Sequence, residues 1–448
     1  MTDFTMMQAV LACGGRLSSP CDTAAPLGCA VIDSRKVQPG DLFVAYRGEN
    51  VDGHDYIGAA FDKGAACCLA ERVPEGETHP VLLVDDVQRA LEQLAAAYRA
   101  TLSLPIVGIT GSVGKTSAKE MIAAVLSQRF RTLKTEGNLN NQIGVPMTVS
   151  RIGQEHEAAV VEMGISDFGE MTALARIVRP QIAVFTVIGH AHLEKLGDLG
   201  GVFRAKTEML PFVQEDGAVV VNGDDPYLRA LRCPQRVLTV GLGESCALRA
   251  VGLSPAPGGG TACTLVYGER RIPVVIPAFG QHMVYAALEG AAVGLLLGLS
   301  DAEITAGIAA FTPVGRRAAM TETPTLTLID DSYNANPDSV RCGLDSLCTL
   351  PGRHVAILGD MLEMGECARE MHVALGQYAR EKGVGLLLAA GELGRGYAEG
   401  AGEIARWYPS REALIEALPA LLRRGDAVLV KASRGMRFEL IAEEVKAL

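Results

Sequence analysis

The sequence predicts an α/β protein of three units: a small mixed N-terminal unit, a central parallel-sheet unit and a C-terminal α/β unit. Strand-length apolar runs alternate with helical periodicity over residues 104–222, and the alternation restarts after Pro313. Alternation of this kind builds parallel sheets covered by helices. The length, 448 residues, holds about three domains at roughly 150 residues each. Hydrophobic residues make up 48% and charged residues 21%, which is too apolar for disorder and sufficient for several buried cores.

The first unit spans 1–103. Val10-Leu11-Ala12-Cys13 resembles a lipoprotein cleavage site. No basic segment precedes it, and Asp3 stands where positive charge is needed, so it reads as part of an amphipathic first helix. Residues 31–34 and 42–45 have strand character, the second following the turn Pro39-Gly40-Asp41. Leu91, Leu94, Ala95 and Tyr98 recur at helical spacing and predict a closing helix over 87–99.

The second unit, 104–312, opens with a buried strand at 104–110, a glycine-rich turn and a helix over 115–130. Met121, Ile122, Val125, Leu126 and Phe130 form the apolar stripe of that helix. Further strands are predicted at 158–163, 182–187 and 218–222, and a helix at 202–211. The stretch 247–279, divided by Pro and Gly and including the loop 255–260, predicts antiparallel hairpins appended to the sheet. In the third unit, 313–448, strands are predicted at 326–330, 354–358, 385–389 and 427–431 with helices between them, a Rossmann-like pattern.

Lys and Arg total 41 against 52 Asp and Glu, a net charge of −11. Nonspecific binders of nucleic acid or anionic membrane carry the opposite excess, so anion binding here must be local. The longest apolar run, 284–299, contains Glu289 and falls short of the ~20 residues of a membrane span. No membrane insertion is expected. The 11 cysteines cannot all pair within one chain, and no C-x-x-C occurs. They read as reduced thiols of a cytoplasmic protein.

The strongest local signal is Gly108-Ile109-Thr110-Gly111-Ser112-Val113-Gly114-Lys115-Thr116, followed by Ser117. Position 109 departs from the strict G-x-x-x-x-G-K-[ST] pattern, but strand, glycine turn, Gly-Lys-Thr and helix remain in order. Such a turn lets backbone N–H groups wrap phosphates, and the helix N-terminus adds a favourable dipole. Lys115 is placed to reach the β and γ phosphates of a nucleotide, and the Thr116 hydroxyl to ligate Mg²⁺. No Asn-Lys-x-Asp guanine signature occurs. Glu162 ends an apolar strand, where a carboxylate faces the usual ligand crevice and suits a hard cation. His190-Ala191-His192-Leu193-Glu194 offers further metal-binding side chains. An H-x-H pair in a loop is as often solvated as ligating, and a helical lysine such as Lys206 is ordinarily exposed.

Together these motifs resemble the Mur ligases, the ATP-dependent amide-forming enzymes of peptidoglycan precursor synthesis. The resemblance runs nearly end to end. Asp33-Ser34-Arg35, Pro39-Gly40-Asp41-Leu42-Phe43-Val44-Ala45, Gly48 and Asp52-Gly53-His54 are similar to the family's UDP-sugar-binding domain. The Gly-Lys-Thr loop, Asn138-Leu139-Asn140-Asn141, Ile143-Gly144, Pro146, Glu162 and Ala191-His192-Leu193-Glu194 are similar to its ATPase domain. Asp331-Ser332-Tyr333-Asn334-Ala335-Asn336-Pro337-Asp338-Ser339, Leu358-Gly359-Asp360-Met361-Leu362-Glu363-Met364-Gly365 and Val430-Lys431-Ala432-Ser433-Arg434 resemble the member that adds D-alanyl-D-alanine.

The resemblance implies a three-domain Mur ligase architecture with UDP-N-acetylmuramoyl-tripeptide and D-Ala-D-Ala as substrates. It implies ATP and two Mg²⁺ ions, and a cytoplasmic monomer. Gly111, Ser112, Val113, Gly114, Lys115, Thr116, Ser117, Arg316 and Asp331 would hold ATP. Thr116 and Glu162 would hold one Mg²⁺; His192 and a carbamylated Lys206 would hold the other. Lys115, Lys206, His192 and Asn140 would carry the chemistry. Asp33, Ser34, Arg35, Asn140, Asn141, Tyr333, Asn334, Asn336 and Arg434 would contact the other substrates. A Mur ligase adding another group, a folylpolyglutamate-synthase-like ligase and a P-loop switch protein are the alternatives. The 333–337 run and the UDP-type motifs argue against the first two. His192 and Lys206 argue against the switch. One departure stands out: where the family has Gly-x-His-Asn-x-x-Asn near the adenine, Met283 and Ala286 replace the asparagines after Gly280 and His282. Weaker discrimination between ATP and GTP is the expectation.

Overall fold

A computed structural model describes residues 1, 3–48, 50–257 and 259–448. Three sheets organise it, each drawn from its own stretch of chain. The first runs Arg16–Leu17, Val81–Leu83, Cys67–Ala70, Leu42–Val44, Ala30–Val31, parallel except for its first pair. The strand expected at 31–34 is only Ala30–Val31. Asp33 accepts a hydrogen bond from Arg35 N (3.0 Å) and caps a 3₁₀ turn, Ser34–Lys36, which ends the extended run. Helix Val87–Ala100 has both its faces employed. It packs on the first unit and also on helices Gly144–Ser150 and Glu170–Val178 of the second. Tyr98 donates to Ile152 O, and Arg99 to Val178 O (2.8 Å), so one hydrophobic core continues across residue 103.

The second sheet has nine strands. Thr132–Lys134, Ala158–Glu162, Ile106–Thr110, Ile182–Phe185, Ala218–Asn222, Arg236–Gly241 and Leu248–Pro255 run parallel. Thr261–Tyr267 and Arg270–Ile276 then extend it as antiparallel hairpins, as the 247–279 pattern predicts. Gly258, within the Pro/Gly-rich loop at 255–260, lies outside the described residues. The phosphate-loop helix, Lys115–Leu126, ends earlier than the apolar stripe suggests, with Ser127 as its C-cap. It packs against Gln281–Leu296, which holds most of the longest apolar run. Gly290 sits where a side chain would press on Met121, so these two helices approach closely. No helix among the described residues is long and apolar enough to cross a membrane.

The third sheet runs Ala319–Glu322, Thr327–Asp330, Asp426–Lys431, Arg353–Gly359, Leu386–Ala390, Ala405–Tyr408, parallel apart from the first pair. Helices cover both faces, giving two separate apolar clusters. The helix read at 202–211 is helix Leu199–Thr207 followed by the 3₁₀ turn Leu210–Phe212, because Pro211 lacks the N–H that would continue the ladder.

Candidate active site

A cavity of about 420 Å³ lies where the carboxyl ends of the second and third sheets face one another. This is where α/β sheets ordinarily bind ligands. Residues 112–117, 140–142, Glu162 and His192 form one wall; Arg317, Asp331, 333–336 and Lys431 form the other. A recess of about 210 Å³ adjoins it, sharing Thr116, Ser117, His282, Arg317 and Ala318. The recess is largely apolar, with Phe279, Met283, Phe311, Pro313, Val314 and Met320, and Glu120 as its carboxylate. Met283 therefore lines it, whereas Ala286 is buried behind.

The glycine turn is built for close approach. Gly114, at φ +85°, caps the phosphate-loop helix, a conformation costly for other residues. Any side chain at Gly111 would collide with the Thr186 hydroxyl. Ser112 Oγ donates to Gly189 O and accepts from Gly189 N, both at 2.9 Å, tying the turn to the loop that carries His192. Lys115 folds back and donates to Gly111 O (2.8 Å). Burial lowers its pKa, partly offset by Glu162.

Glu162 is 1% exposed and held by donors on both oxygens. Thr116 Oγ1 donates to Oε2 (3.0 Å) and Asn140 Nδ2 to Oε1 (2.8 Å). Lys119, missed by the sequence reading, lies 3.7 Å from the same carboxylate and 3.2 Å from Glu120. Its spacing was a usable signal, since i+4 from Lys115 shares a helix face. Asn141 Oδ1 accepts from Gly144 N (2.9 Å), fixing the start of helix Gly144–Ser150.

His192 is left-handed, at φ 53°. Its Nδ1 lies 2.6 Å from Glu363 Oε2, a close contact without the alignment of a directed hydrogen bond. Lys206, expected on the surface, is 1% exposed. No carboxylate lies within ion-pair distance of it among the described residues, and burial drives its pKa well below the ordinary value, with Lys115 adding to the effect. The cost of an isolated buried ammonium explains the direction. His190 also has a partner: Asp338 of the third unit accepts from its N–H (2.6 Å) and lies 3.1 Å from Nδ1.

On the opposite wall Lys431 donates to Asp331 Oδ2 (2.5 Å) and Asn334 O (2.9 Å). Asp331 Oδ1 accepts from Ala318 N (3.1 Å). Asn336 and Ser339 form a reciprocal cap on helix Pro337–Leu347. Tyr333 and Asn334 line the cavity. Arg434 lies beside them, its N–H on Asn334 Oδ1 (3.3 Å) and its guanidinium 3.3 Å from Glu439. Arg316 is not brought to the cavity. Its guanidinium bonds Asp330 (3.3 Å), Glu439 O (3.0 Å) and Glu443 (2.7 Å), facing helix Glu439–Ala447. Asp33, Ser34 and Arg35 line neither space. Arg35 grips Asp33 at 2.9 Å and holds that carboxyl down to about 2. Lys431, Asp338, Glu363 and Arg317 went unassigned in sequence, because what each one does depends on a neighbour from another segment.

The donor set suits cations in pairs of ligands. Among the described residues no cluster of three or more His, Cys, Asp or Glu side chains is placed to hold a metal. Thr116 and Glu162 nonetheless present adjacent oxygens, and Mg²⁺ commonly completes its shell with water and phosphate.

The chain matches the Mur ligase middle domain over residues 109–294. It matches the Mur ligase glutamate ligase domain over 315–434 and the Mur ligase catalytic domain over 29–99. It is 35% identical over 442 residues to the UDP-N-acetylmuramoyl-tripeptide–D-alanyl-D-alanine ligase of Bacillus subtilis, covering 96% of each chain. The crystal structure of MurF from Acinetobacter baumannii superposes with a TM-score of 0.91 at 29% identity, covering 99% of both chains. MurF ligase from Thermotoga maritima in complex with ADP gives 0.83 at 27% identity, covering 94% of this chain and 97% of that one.

Proposed function

The chain belongs to the Mur ligase family, and from that premise we infer that it is an ATP-dependent, ADP-forming ligase of peptidoglycan synthesis. It joins D-alanyl-D-alanine to UDP-N-acetylmuramoyl-tripeptide through an acyl phosphate, giving the UDP-muramoyl-pentapeptide. The observation that carries this reading is the cavity itself. A phosphate loop on one domain faces the 331–336 turn of another, so a nucleotide and a second substrate meet between them. We assign the UDP-sugar to residues 1–103, ATP to 104–312 and the incoming dipeptide to 313–448. A cytoplasmic enzyme acting as a single copy belongs to the same reading.

In the first step the tripeptide carboxylate attacks the γ-phosphorus of ATP and ADP leaves. Two anions must meet, so charge neutralisation is the main task. Lys115 exchanges its bond to Gly111 O for phosphate oxygens. The 111–114 turn supplies backbone donors, and Asn140 steadies Glu162. Thr116 and Glu162 fit one Mg²⁺. His192, with a Lys206 carbamate, fits a second. Burial lowers the Lys206 pKa and so favours its neutral amine, the form that takes up CO₂. Both ions would supply neutralisation of the phosphoryl oxygens and the substrate carboxylate. In the second step the dipeptide amine attacks the acyl carbon and phosphate departs. Tyr333, Asn334, Asn336 and Arg434 orient the dipeptide, while Asp33, Ser34 and Arg35 hold the uridine end. Enclosure between two domains protects the acyl phosphate from water.

Mixing protein, ATP, Mg²⁺, UDP-muramoyl-tripeptide and D-Ala-D-Ala should yield the pentapeptide by mass spectrometry. Phosphate release should require both acceptor substrates; release without them would favour a nucleotide switch instead. The apolar recess bounded by Met283 reads the base weakly, so kcat/KM for ATP and GTP should lie within about tenfold.

A further inference from the structure

Glu162 has a cation of its own. Lys119 stands one turn beyond Lys115 on the phosphate-loop helix, on the same face. It is buried, with its Nζ 3.7 Å from Glu162 Oε2 and 3.2 Å from Glu120 Oε1. It also donates to Gly137 O (3.4 Å). Glu120, one turn beyond Thr116, is held on its other oxygen by Lys134 of strand Thr132–Lys134. Ammonium and carboxylate therefore alternate along a row, Lys134, Glu120, Lys119, Glu162, with its inner end on the cavity.

Where the row ends decides what it does. Glu162 Oε2, which faces Lys119, is also the oxygen that Thr116 Oγ1 reaches at 3.0 Å. A cation held by Thr116 and Glu162 would share that oxygen with Lys119. The carboxylate is fixed in this aim, because Asn140 Nδ2 holds Oε1 (2.8 Å) and Glu162 N donates to Thr135 Oγ1 (3.0 Å). Like charges a few ångströms apart repel strongly where water is excluded. Lys115, close enough to feel Glu162, adds a second cation. A bare divalent ion entering here gains one carboxylate and meets two ammoniums. The same ion carried on a triphosphate brings its own negative charge, and Lys115 turns to the phosphates. Lys119 then still has Glu120, already the nearer of its two carboxylates.

We propose that Lys119 is a positioning residue that makes the Thr116–Glu162 metal site conditional on nucleotide. It occupies the carboxylate against a bare divalent cation and yields it, leaning onto Glu120, when the cation arrives with a triphosphate. The proposal rests on the assignment of Mg²⁺ to Thr116 and Glu162 above. No covalent bond changes. By linkage, the factor by which nucleotide tightens metal binding is the factor by which metal tightens nucleotide binding, and Lys119 enlarges both.

The test titrates Mn²⁺ into the full chain, followed by electron paramagnetic resonance. It is run without nucleotide and with β,γ-methylene-ATP, corrected for the Mn²⁺ that free nucleotide holds. The part of the binding lost in Glu162→Gln is the readout. Mn²⁺ binding independent of Glu162 would remove the metal assignment and this proposal with it. Absence of pentapeptide from wild type would remove the ligase reading and leave the metal test standing. Without nucleotide, Lys119→Met should bind Mn²⁺ about tenfold or more tightly than wild type. Glu120→Gln should bind it more weakly, since Lys119 then has Glu162 as its one carboxylate. With β,γ-methylene-ATP the gap between Lys119→Met and wild type should shrink to about threefold or less. A merely structural role would loosen the site in both variants alike. The double variant Lys119→Met, Glu120→Gln removes one charge of each sign. It should also bind bare Mn²⁺ more tightly than wild type, and it decides the matter if Lys119→Met does not fold. Equal or weaker bare Mn²⁺ binding in the folded Lys119 variant would overturn the proposal. So would shifts of one sign in both single variants, or a gap that the nucleotide leaves unchanged.

Discussion

Two lysines are buried to the same depth and treated differently. Lys206, close enough to Lys115 to feel its charge, is 1% exposed; Lys431, on the cavity wall opposite the phosphate loop, is 2% exposed. Lys431 is neutralised by Asp331 and a carbonyl. Lys206 has neither, and its pKa falls accordingly. A buried charge with a partner holds a fold together; one without a partner is unstable until something arrives. The difference is between a charge the fold has matched and one it has left open. Lys119, between Glu120 and Glu162, belongs with Lys431, although it sits one turn beyond Lys115 on the phosphate-loop helix. Glu289 qualifies the rule. It is buried without a partner on Gln281–Leu296 and burial alone raises its pKa, with no cavity group acting on it, so isolation by itself does not mark a site.

The comparison breaks most readily at Lys115. Lys115→Ala should reduce ligation about ten-thousandfold while leaving Tm unchanged, because its ammonium is spent on its own loop until phosphate binds. Near-normal ligation would refute its role. Lys206→Ala should lose about a thousandfold and recover with added short carboxylates that imitate a carbamate. Full activity without them would remove the second-metal proposal.

Lys431→Met should act on stability instead. Urea titration should show a loss of about 3 kcal/mol, since Asp331 is left facing a buried apolar chain. A stable variant would mean that Lys431 is not scaffold. Glu289→Gln leaves ligation unaffected and shifts stability with a definite sign. Burial raises the Glu289 carboxyl to about 8, above its unfolded value, so the native state binds the extra proton. Its contribution is fully present at low pH and is lost as pH rises toward 8. The variant's unfolding free energy relative to wild type should therefore climb between pH 5 and 8, by at most about 1.4 kcal/mol per pH unit. A pH-independent difference would show that Glu289 is solvated.

Much of this was legible before folding. The strand–turn–helix of the phosphate site follows from local signals: an apolar run, glycines where backbone must approach closely, and a helix of regular stripe. The strand at 218–222 was read with the boundaries it has. Strands Cys67–Ala70, Thr132–Lys134, Arg236–Gly241 and Ala405–Tyr408 were not read. Three of them have only three or four residues, and none of the four shows the clean alternation of a half-exposed strand. Resemblance implies a nucleotide contact at Arg316, and nothing in the local sequence says that its guanidinium bonds Asp330, Glu439 O and Glu443 in the folded chain.

The sequence by itself determined the α/β order and the strand–turn–helix of the phosphate loop, because turns and periodicity act over a few residues. Only the tertiary structure decided which charges are matched. Lys431 and Asp331 are 100 residues apart, and Asp338 meets His190 across 148. The energy of a buried charge depends on what folds against it, and that partner has no mark in the local sequence.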